Sequence, residues 1–287
     1  MDALVDVMGP LRVVEHPGDG PPVVLVHGLG GSSENWMRVA PLLAAGHAVH
    51  ALDLPGFGRT PPAGRPPTVA ANVALLAAYV RERVRQPAIF VGNSMGGLLS
   101  LCTAAEHPDV VRALVLVDPA MPRAPGAPMD RTVLTMFSLY ATPGVGEWYL
   151  RSVARRTSPE VALRYFWQIC GLREGDLPAD VLAAHRELLV YRRTLPWSDA
   201  TFLGAARSML RVLLDRRRFN EFLRRVQAPT LILHGARDRL VPVESARAVA
   251  RFREDFRYEE LPDEGHTPML EAPEAFAARV LAFTSAL

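Results

Sequence analysis

The sequence predicts an α/β fold: a mostly parallel central sheet with helices on both faces, interrupted by one long helical insertion. Three observations carry this. Through the first part of the chain, short β-branched runs alternate with longer helix-forming segments, the order that gives parallel strands joined by crossover helices. From Met121 to about Val226 the strand signal stops and helical patterns follow one another. Strand–helix order resumes at Pro229 and runs on from there. The expected division is a core domain over 1–120 and 227–287, with a helical domain over 121–226 inserted into it.

In chain order, residues 4–15 are short and mixed, and read as one or two strands at a sheet edge. Pro22-Val23-Val24-Leu25-Val26-His27-Gly28 is a continuous aliphatic run ending in glycine, as expected of a strand buried on both faces. A helix starting near Glu34 carries Trp36, Val39 and Leu43. Ala48 to Leu54 is the next strand, closed by Pro55-Gly56-Phe57-Gly58, and the Pro- and Gly-rich stretch 60–67 is a surface loop. Thr68 caps a helix to about Arg85, with Val69, Val73, Leu76 and Val80 on one face. A strand and helix occupy 88–106, His107-Pro108-Asp109 ends that helix, and Val110 to Val117 is another strand. A linker containing Pro122, Pro125 and Pro128 opens the insertion. Helices are expected near 130–140, 145–156, 159–171, 179–194 and 198–225, the last one broken. The remaining elements are a strand over 229–235, a helix at 243–253, a strand around 258–261 and a helix from Pro273 to Ala286.

Composition narrows the function classes. The chain has 287 residues, of which 49% are apolar, enough to fill the core of one large domain. A net charge of +2 gives no global attraction to nucleic acid or anionic membrane. All 32 basic residues are arginine. They are unevenly spread: 17 arginines face 10 acids within 121–226, and 15 face 20 elsewhere. This reads as a solvated basic surface salt-bridged across to an acidic core, in preference to one that attracts an anionic substrate. Arg216-Arg217-Arg218 lacks the fold context of a nucleic-acid module. Cys102 and Cys170 lie in apolar stretches and are expected to be buried free thiols; no metal site or cofactor is implied. Met1 to Asp6 has neither a basic region nor a long apolar region, and no apolar run reaches the ~18 residues that span a bilayer. The expectation is a cytoplasmic protein with no signal peptide and no stable membrane insertion.

The chemistry gathers around Gly92-Asn93-Ser94-Met95-Gly96-Gly97. It follows the apolar run Ala88-Ile89-Phe90-Val91 and precedes a Leu- and Ala-rich helix, so a serine flanked by glycines sits on a strand–turn–helix junction. A strand turning at once into a helix brings backbones close, and the flanking glycines leave room for this. A serine hydroxyl is a poor nucleophile at neutral pH and needs a base, which in turn needs an orienting acid. Catalytic groups in open α/β sheets collect at the C-terminal ends of strands. There, Asp238 follows the strand 230–234 and His266 follows the last strand.

Asp118, which also ends a strand, is the rival acid, although Asp-Pro at a strand end is commonly only a turn. His27 is expected to prop the loop after its strand, and His234 to lie near the site. His47, His50 and His107 read as structural or surface residues, and Asp53 as a brace for the 55–58 loop. His185 shares a helical face with Val181, Leu188, Leu189 and Arg192 and reads as a packing histidine. Donors for a developing oxyanion are expected from the backbone N–H groups of Met95, at the start of the helix, and Leu29.

With these residues in place, the chain resembles the α/β-hydrolase superfamily with a helical cap. The likeness is carried by His27-Gly28-Leu29-Gly30-Gly31-Ser32, Asp53-Leu54-Pro55-Gly56-Phe57-Gly58, Gly92 to Gly97, Gly235-Ala236-Arg237-Asp238 and Gly265-His266, over 21–119 and 229–287. The order Ser94, Asp238, His266 is that of the superfamily's triad. No motif covers the cap. Serine at the turn argues against the relatives that use aspartate there, the haloalkane dehalogenases and epoxide hydrolases. The resemblance implies cleavage of a small-molecule carboxylic ester through an acyl-serine.

Gly-Asn-Ser-Met-Gly-Gly is also similar to C–C bond hydrolases of ring-cleavage products. Those usually carry Ser-Gly-Pro-Gly where this chain has Leu29-Gly30-Gly31-Ser32, and tryptophan where it has Thr267-Pro268. Perhydrolase activity and a ligand receptor on the same scaffold are further alternatives. The large aromatics of the insertion include Phe137, Tyr140, Trp148, Tyr149, Tyr165, Phe166, Trp167, Tyr191, Trp197 and Phe202. Some are expected to line an apolar pocket, and most to hold the insertion together.

Overall fold

The computed structural model describes residues 1–173 and 175–287. Its strands are β1 (Asp2–Asp6), β2 (Pro10–His16), β3 (Val23–Val26), β4 (Val49–Leu52), β5 (Ala88–Asn93), β6 (Val111–Val117), β7 (Thr230–Gly235) and β8 (Arg257–Leu261). They form one sheet in the order β1-β2-β4-β3-β5-β6-β7-β8. β1 and β2 pair antiparallel, as do β2 and β4, and every later pair is parallel. The N-terminal hairpin therefore forms one sheet edge.

The helices interleave with these strands. α1 (Ala40–Leu43), α2 (Val69–Tyr79) and α3 (Met95–Glu106) precede β6. α4 (Arg131–Ala141), α5 (Val145–Arg156), α6 (Pro159–Ile169), α7 (Ala179–Thr194), α8 (Ser198–Leu214) and α9 (Arg216–Arg225) lie between β6 and β7. α10 (Val243–Phe252), α11 (Pro268–Glu271) and α12 (Pro273–Thr284) complete the chain.

The central strands are apolar on both faces because both faces are covered. Val24, Val26, Phe90, Leu114 and Ile232 pack with Leu76, Leu98 and Phe219 on one side. Their strand neighbours Val23, Leu25, Ile89, Val115 and Leu231 pack with Trp36, Leu43, Phe276 and Val280 on the other. Each such fully buried side chain contributes roughly 1.5–3 kcal/mol. α9 belongs to this packing: Phe219, Phe222 and Leu223 join the cluster that contains α3.

One local expectation needs correction, and three details are refined. The segment from Glu34 is a 3-10 turn over Ser33–Trp36 followed by the one-turn α1, and no single helix runs through it. Ser32 caps the turn, with Asn35 answering back to it, while Trp36, Val39 and Leu43 are still buried. α2 ends at Tyr79 in a wider turn closed by Arg85 in the left-handed region. The break expected within 198–225 falls at Asp215, whose carboxylate accepts the Arg218 N–H at 3.0 Å and starts α9. The short α11 has no counterpart in the sequence reading. Among the described residues, no helix is long and apolar enough to cross a membrane.

Candidate active site

Ser94 stands between β5 and α3 with φ 55° and ψ −118°, a conformation that costs a non-glycine residue on the order of 1–3 kcal/mol. Backbone bonds hold it there. Its N–H donates to Val117 O at 3.0 Å, and its carbonyl accepts from Leu98 at 3.1 Å and Ala120 at 2.9 Å. The flanking glycines are steric requirements: a Cβ on Gly92 would lie 2.4 Å from the Gly96 carbonyl oxygen, and one on Gly96 would lie 2.0 Å from that of Val26. Met95, buried, opens α3, so the positive end of a 12-residue helix underlies the serine.

Asp238 and His266 meet. The His266 Nδ1–H donates to Asp238 Oδ2 at 2.7 Å, leaving Nε2 as the free ring nitrogen. The other oxygen of Asp238 accepts backbone N–H groups from Leu240 at 2.8 Å and Val241 at 3.0 Å, which fixes the carboxylate. Asp118, the rival, lies elsewhere in the same buried cluster. Its Oδ1 accepts the Gly235 N–H at 2.7 Å, so it ties the β6 end to the β7 end. Complete burial next to the Asp238 carboxylate pushes the Asp118 pKa well up. The His234 Nε2–H donates to Val241 O at 3.0 Å, and burial pushes the pKa of its ring down.

Two residues without an assigned role in the sequence reading position this pair. Asn93 Nδ2 donates to Val117 O at 3.2 Å and to His266 O at 2.9 Å, linking the serine turn to the histidine loop. Glu271, on α11, accepts the N–H of Gly265 at 2.8 Å and of Thr267 at 3.0 Å, clamping the chain on both sides of His266. Burial raises its pKa against the pull of those donors and of Arg237. Asn93 lies within the serine motif and acts through backbone contacts with distant segments, while Glu271 folds back on its own loop from the one-turn α11. The insertion also reaches this loop, because Cys170 O accepts the His266 N–H at 2.8 Å. Both cysteines are free and buried.

The loop after β3 faces Ser94. A Cβ on Gly28 would come within 3.0 Å of the Ser94 Cβ. His27 props this loop: its Nδ1–H donates to Gly28 O at 2.7 Å, and its Nε2 accepts the Leu54 N–H at 3.0 Å. Burial pushes its pKa down, consistent with a neutral structural ring. Asp53 accepts N–H groups from Ser33 at 2.7 Å and Arg59 at 2.8 Å, bracing the loops on both sides.

Ser94, His266 and Leu29 line one cavity of about 830 Å³, whose remaining wall comes largely from the insertion. Of the insertion aromatics, Phe137, Tyr140, Phe166 and Phe202 line it. Tyr140 meets Phe202 edge-on at 5.1 Å between ring centres. Trp167 is buried and packs edge-on against His185 at 5.1 Å, the packing role expected of that histidine, whose residue also borders the cavity.

The expected ion pairs between insertion and core run the other way round. Asp130, Asp176, Asp180 and Glu187 of the insertion pair with Arg239, Arg237, Arg38 and Arg59 of the core. Among the described residues, no insertion arginine pairs with a core acid; Arg186 and Arg207 pair within the insertion.

A serine on a strained strand-to-helix turn, with a histidine–carboxylate pair in later loops of a parallel sheet, is an arrangement found in hydrolases that work by acyl transfer. The family model for the alpha/beta hydrolase fold matches residues 21–273, and the chain belongs to that family. It is 29% identical over 280 residues to the 2-hydroxy-6-oxo-6-(2'-aminophenyl)hexa-2,4-dienoic acid hydrolase of Metapseudomonas resinovorans, covering 93% of this chain and 85% of that one. It is 31% identical over 261 residues to the pimeloyl-[acyl-carrier protein] methyl ester esterase of Aromatoleum aromaticum, covering 91% and 96%. Among solved structures, a serine hydrolase involved in carbazole degradation aligns with a TM-score of 0.73 and 26% identity, over 100% of this chain and 99% of that one. The protein is thus an enzyme of the alpha/beta hydrolase class.

Proposed function

We propose that the protein is a serine hydrolase that cleaves carboxylic esters, with an apolar acyl or aryl substrate held under the helical insertion, which serves as a cap. One observation carries this reading: the Asp238-oriented His266 shares an apolar-walled cavity with the strained Ser94. Ser94 attacks the ester carbonyl while His266 Nε2 takes its proton. The N–H groups of Met95 and Leu29 receive the oxyanion, and Asp238 stabilises the imidazolium. His266 then protonates the leaving alcohol and activates water to release the acid. The methyl ester esterase relative supports ester chemistry.

Cleavage of a C–C bond in a vinylogous diketone is the second reading. It is favoured by the dienoic acid hydrolase relative and by the wording Gly-Asn-Ser-Met-Gly-Gly. Leu29-Gly30-Gly31-Ser32 and Thr267-Pro268 favour the ester. A panel of p-nitrophenyl esters of increasing chain length, run beside a vinylogous diketone, separates the two. Ester turnover that disappears in Ser94→Ala is expected. Turnover of the diketone alone would replace this reading with the second, and tight ligand binding without turnover would point to a receptor.

A further inference from the structure

Arg192 is a charged cavity-wall residue that the reaction above does not use. It lies on α7 and lines the cavity together with Ser94 and His266. One terminal nitrogen of its guanidinium donates to the carbonyl of Gly30 in the loop after β3. Gly30 lies inside a turn closed by Gly31 N–H to Gly28 O at 3.0 Å, and Gly28 abuts Ser94. The ends of such a turn are less than about 7 Å apart, so the guanidinium is stationed close to the expected scissile bond.

Among the described residues, Arg192 forms no ion pair, and its other N–H groups make no hydrogen bond to protein. Its surroundings offer little compensation. The cavity wall also carries Arg123, Arg151 and Arg193, against the single carboxylate of Asp199. Asp199 acts on Arg192 only through space, while burial pulls the guanidinium pKa down. Among the described residues, Asp130, Asp176, Asp180 and Glu187 are taken up by core arginines, and Glu147, Glu160 and Glu221 by arginines of the insertion. Arg192 is half-buried, and a charge drawn partly out of water without a counter-charge is unfavourable, so a protein that keeps one at a ligand cavity gains from it when the ligand supplies the partner. Arginine's planar fork suits a carboxylate, which it can meet through two parallel N–H bonds. With one nitrogen engaged by Gly30, the free edge matches one planar carboxylate better than a dianionic phosphate.

We propose that Arg192 is a specificity-determining residue that binds a free carboxylate on the substrate, so that the preferred ester is a half-ester or a related carboxylate-bearing acyl compound. The carboxylate sits beside Gly30, and the apolar remainder lies against Phe202 and Tyr140. This rests on the serine-hydrolase reading of the same cavity, and the test keeps the two apart.

The full-length protein is assayed with mono-4-nitrophenyl glutarate and with 4-nitrophenyl butyrate, a matched pair with and without the carboxylate. The wild type is expected to show a higher kcat/KM for the glutarate. In Arg192→Gln the glutarate-to-butyrate ratio is expected to fall roughly 10- to 100-fold, the loss typical of a charge-assisted hydrogen bond. Arg192→Lys should keep part of the ratio. An unchanged ratio in Arg192→Gln, with both esters slowed alike, would mean that Arg192 only props Gly30, and would overturn the proposal. Binding of the intact esters to Ser94→Ala and to Ser94→Ala/Arg192→Gln supplies a second readout. If the wild type cleaves neither ester, the catalytic reading fails. Tighter glutarate binding that is lost with Arg192 would still sustain the carboxylate site, and equal binding of the two esters would reject it.

Discussion

The two walls of the cavity are built by opposite rules. On the sheet side, polar groups are tied to backbone. Asp238 accepts two N–H groups besides the histidine, Glu271 accepts one on each side of that histidine, and Asn93 joins the serine turn to the histidine loop. On the insertion side the wall is mostly aromatic and aliphatic, and its arginines include Arg192 with a single backbone contact. The sheet wall has the rigidity that chemistry needs, and the insertion wall has the exposed chemical character that selects a substrate. Changes on the first should lower kcat, and changes on the second should change which substrate is preferred.

Asp238→Asn should have the largest effect of the substitutions that break the sheet side. It removes the carboxylate that sets the His266 tautomer, and kcat for a 4-nitrophenyl ester is expected to drop by about 10⁴-fold, as in other triads. Asp118→Asn should change kcat little, because Asp118 bonds Gly235 and not His266. The reverse pattern would transfer the acid role to Asp118.

Glu271→Gln comes next. It keeps the shape and weakens both backbone clamps on the His266 loop, so kcat should fall roughly 10-fold with KM nearly unchanged, about the loss of one charge-assisted bond. A change confined to KM would show that Glu271 shapes the pocket and does not position the histidine. Across the cavity, Phe202→Ala should do the opposite, raising KM several-fold for aryl and long acyl esters and altering kcat less. Steady-state kinetics on the same ester panel checks both.

A last effect is on stability. Asp118 keeps its proton in the folded protein to a pH well above the ordinary carboxyl value. Above about pH 4 the unfolded chain releases that proton while the folded one retains it, so this group penalises folding increasingly as pH rises toward its folded pKa. Asn has no such proton. The stability of Asp118→Asn relative to the wild type should therefore rise with pH above 4, by at most about 1.4 kcal/mol per pH unit, and the difference in melting temperature should widen with it. A difference that stays constant with pH would mean that Asp118 is ionised in the fold.

Much of this fold was legible because its central strands are buried on both faces, which writes them as unbroken aliphatic runs such as Val23–Val26 and Val111–Val117. The candidate site was legible because Ser94, Asp238 and His266 each follow a strand in a loop of recognisable composition. What escaped depends on contacts between distant segments. Asn93 bonds backbone far along the chain, at Val117 and His266, and Glu271 acts from a one-turn helix that no sequence signal announces. The turn at Ser33–Trp36 is set by Asp53 across the sheet edge and by the cap of Ser32. Charge counts gave a basic insertion and an acidic core, but the pairs join insertion acids to core arginines. Placement in three dimensions, and not composition, decided which arginines were left facing the cavity.

The central claim is that Ser94 is a nucleophile activated by His266. Intact-protein mass spectrometry after incubation with a fluorophosphonate, followed by peptide mapping, tests it most directly. A single adduct on Ser94, absent from Ser94→Ala and strongly slowed in His266→Ala, is the expected result. An unmodified protein, or an adduct that persists in Ser94→Ala, would contradict the account.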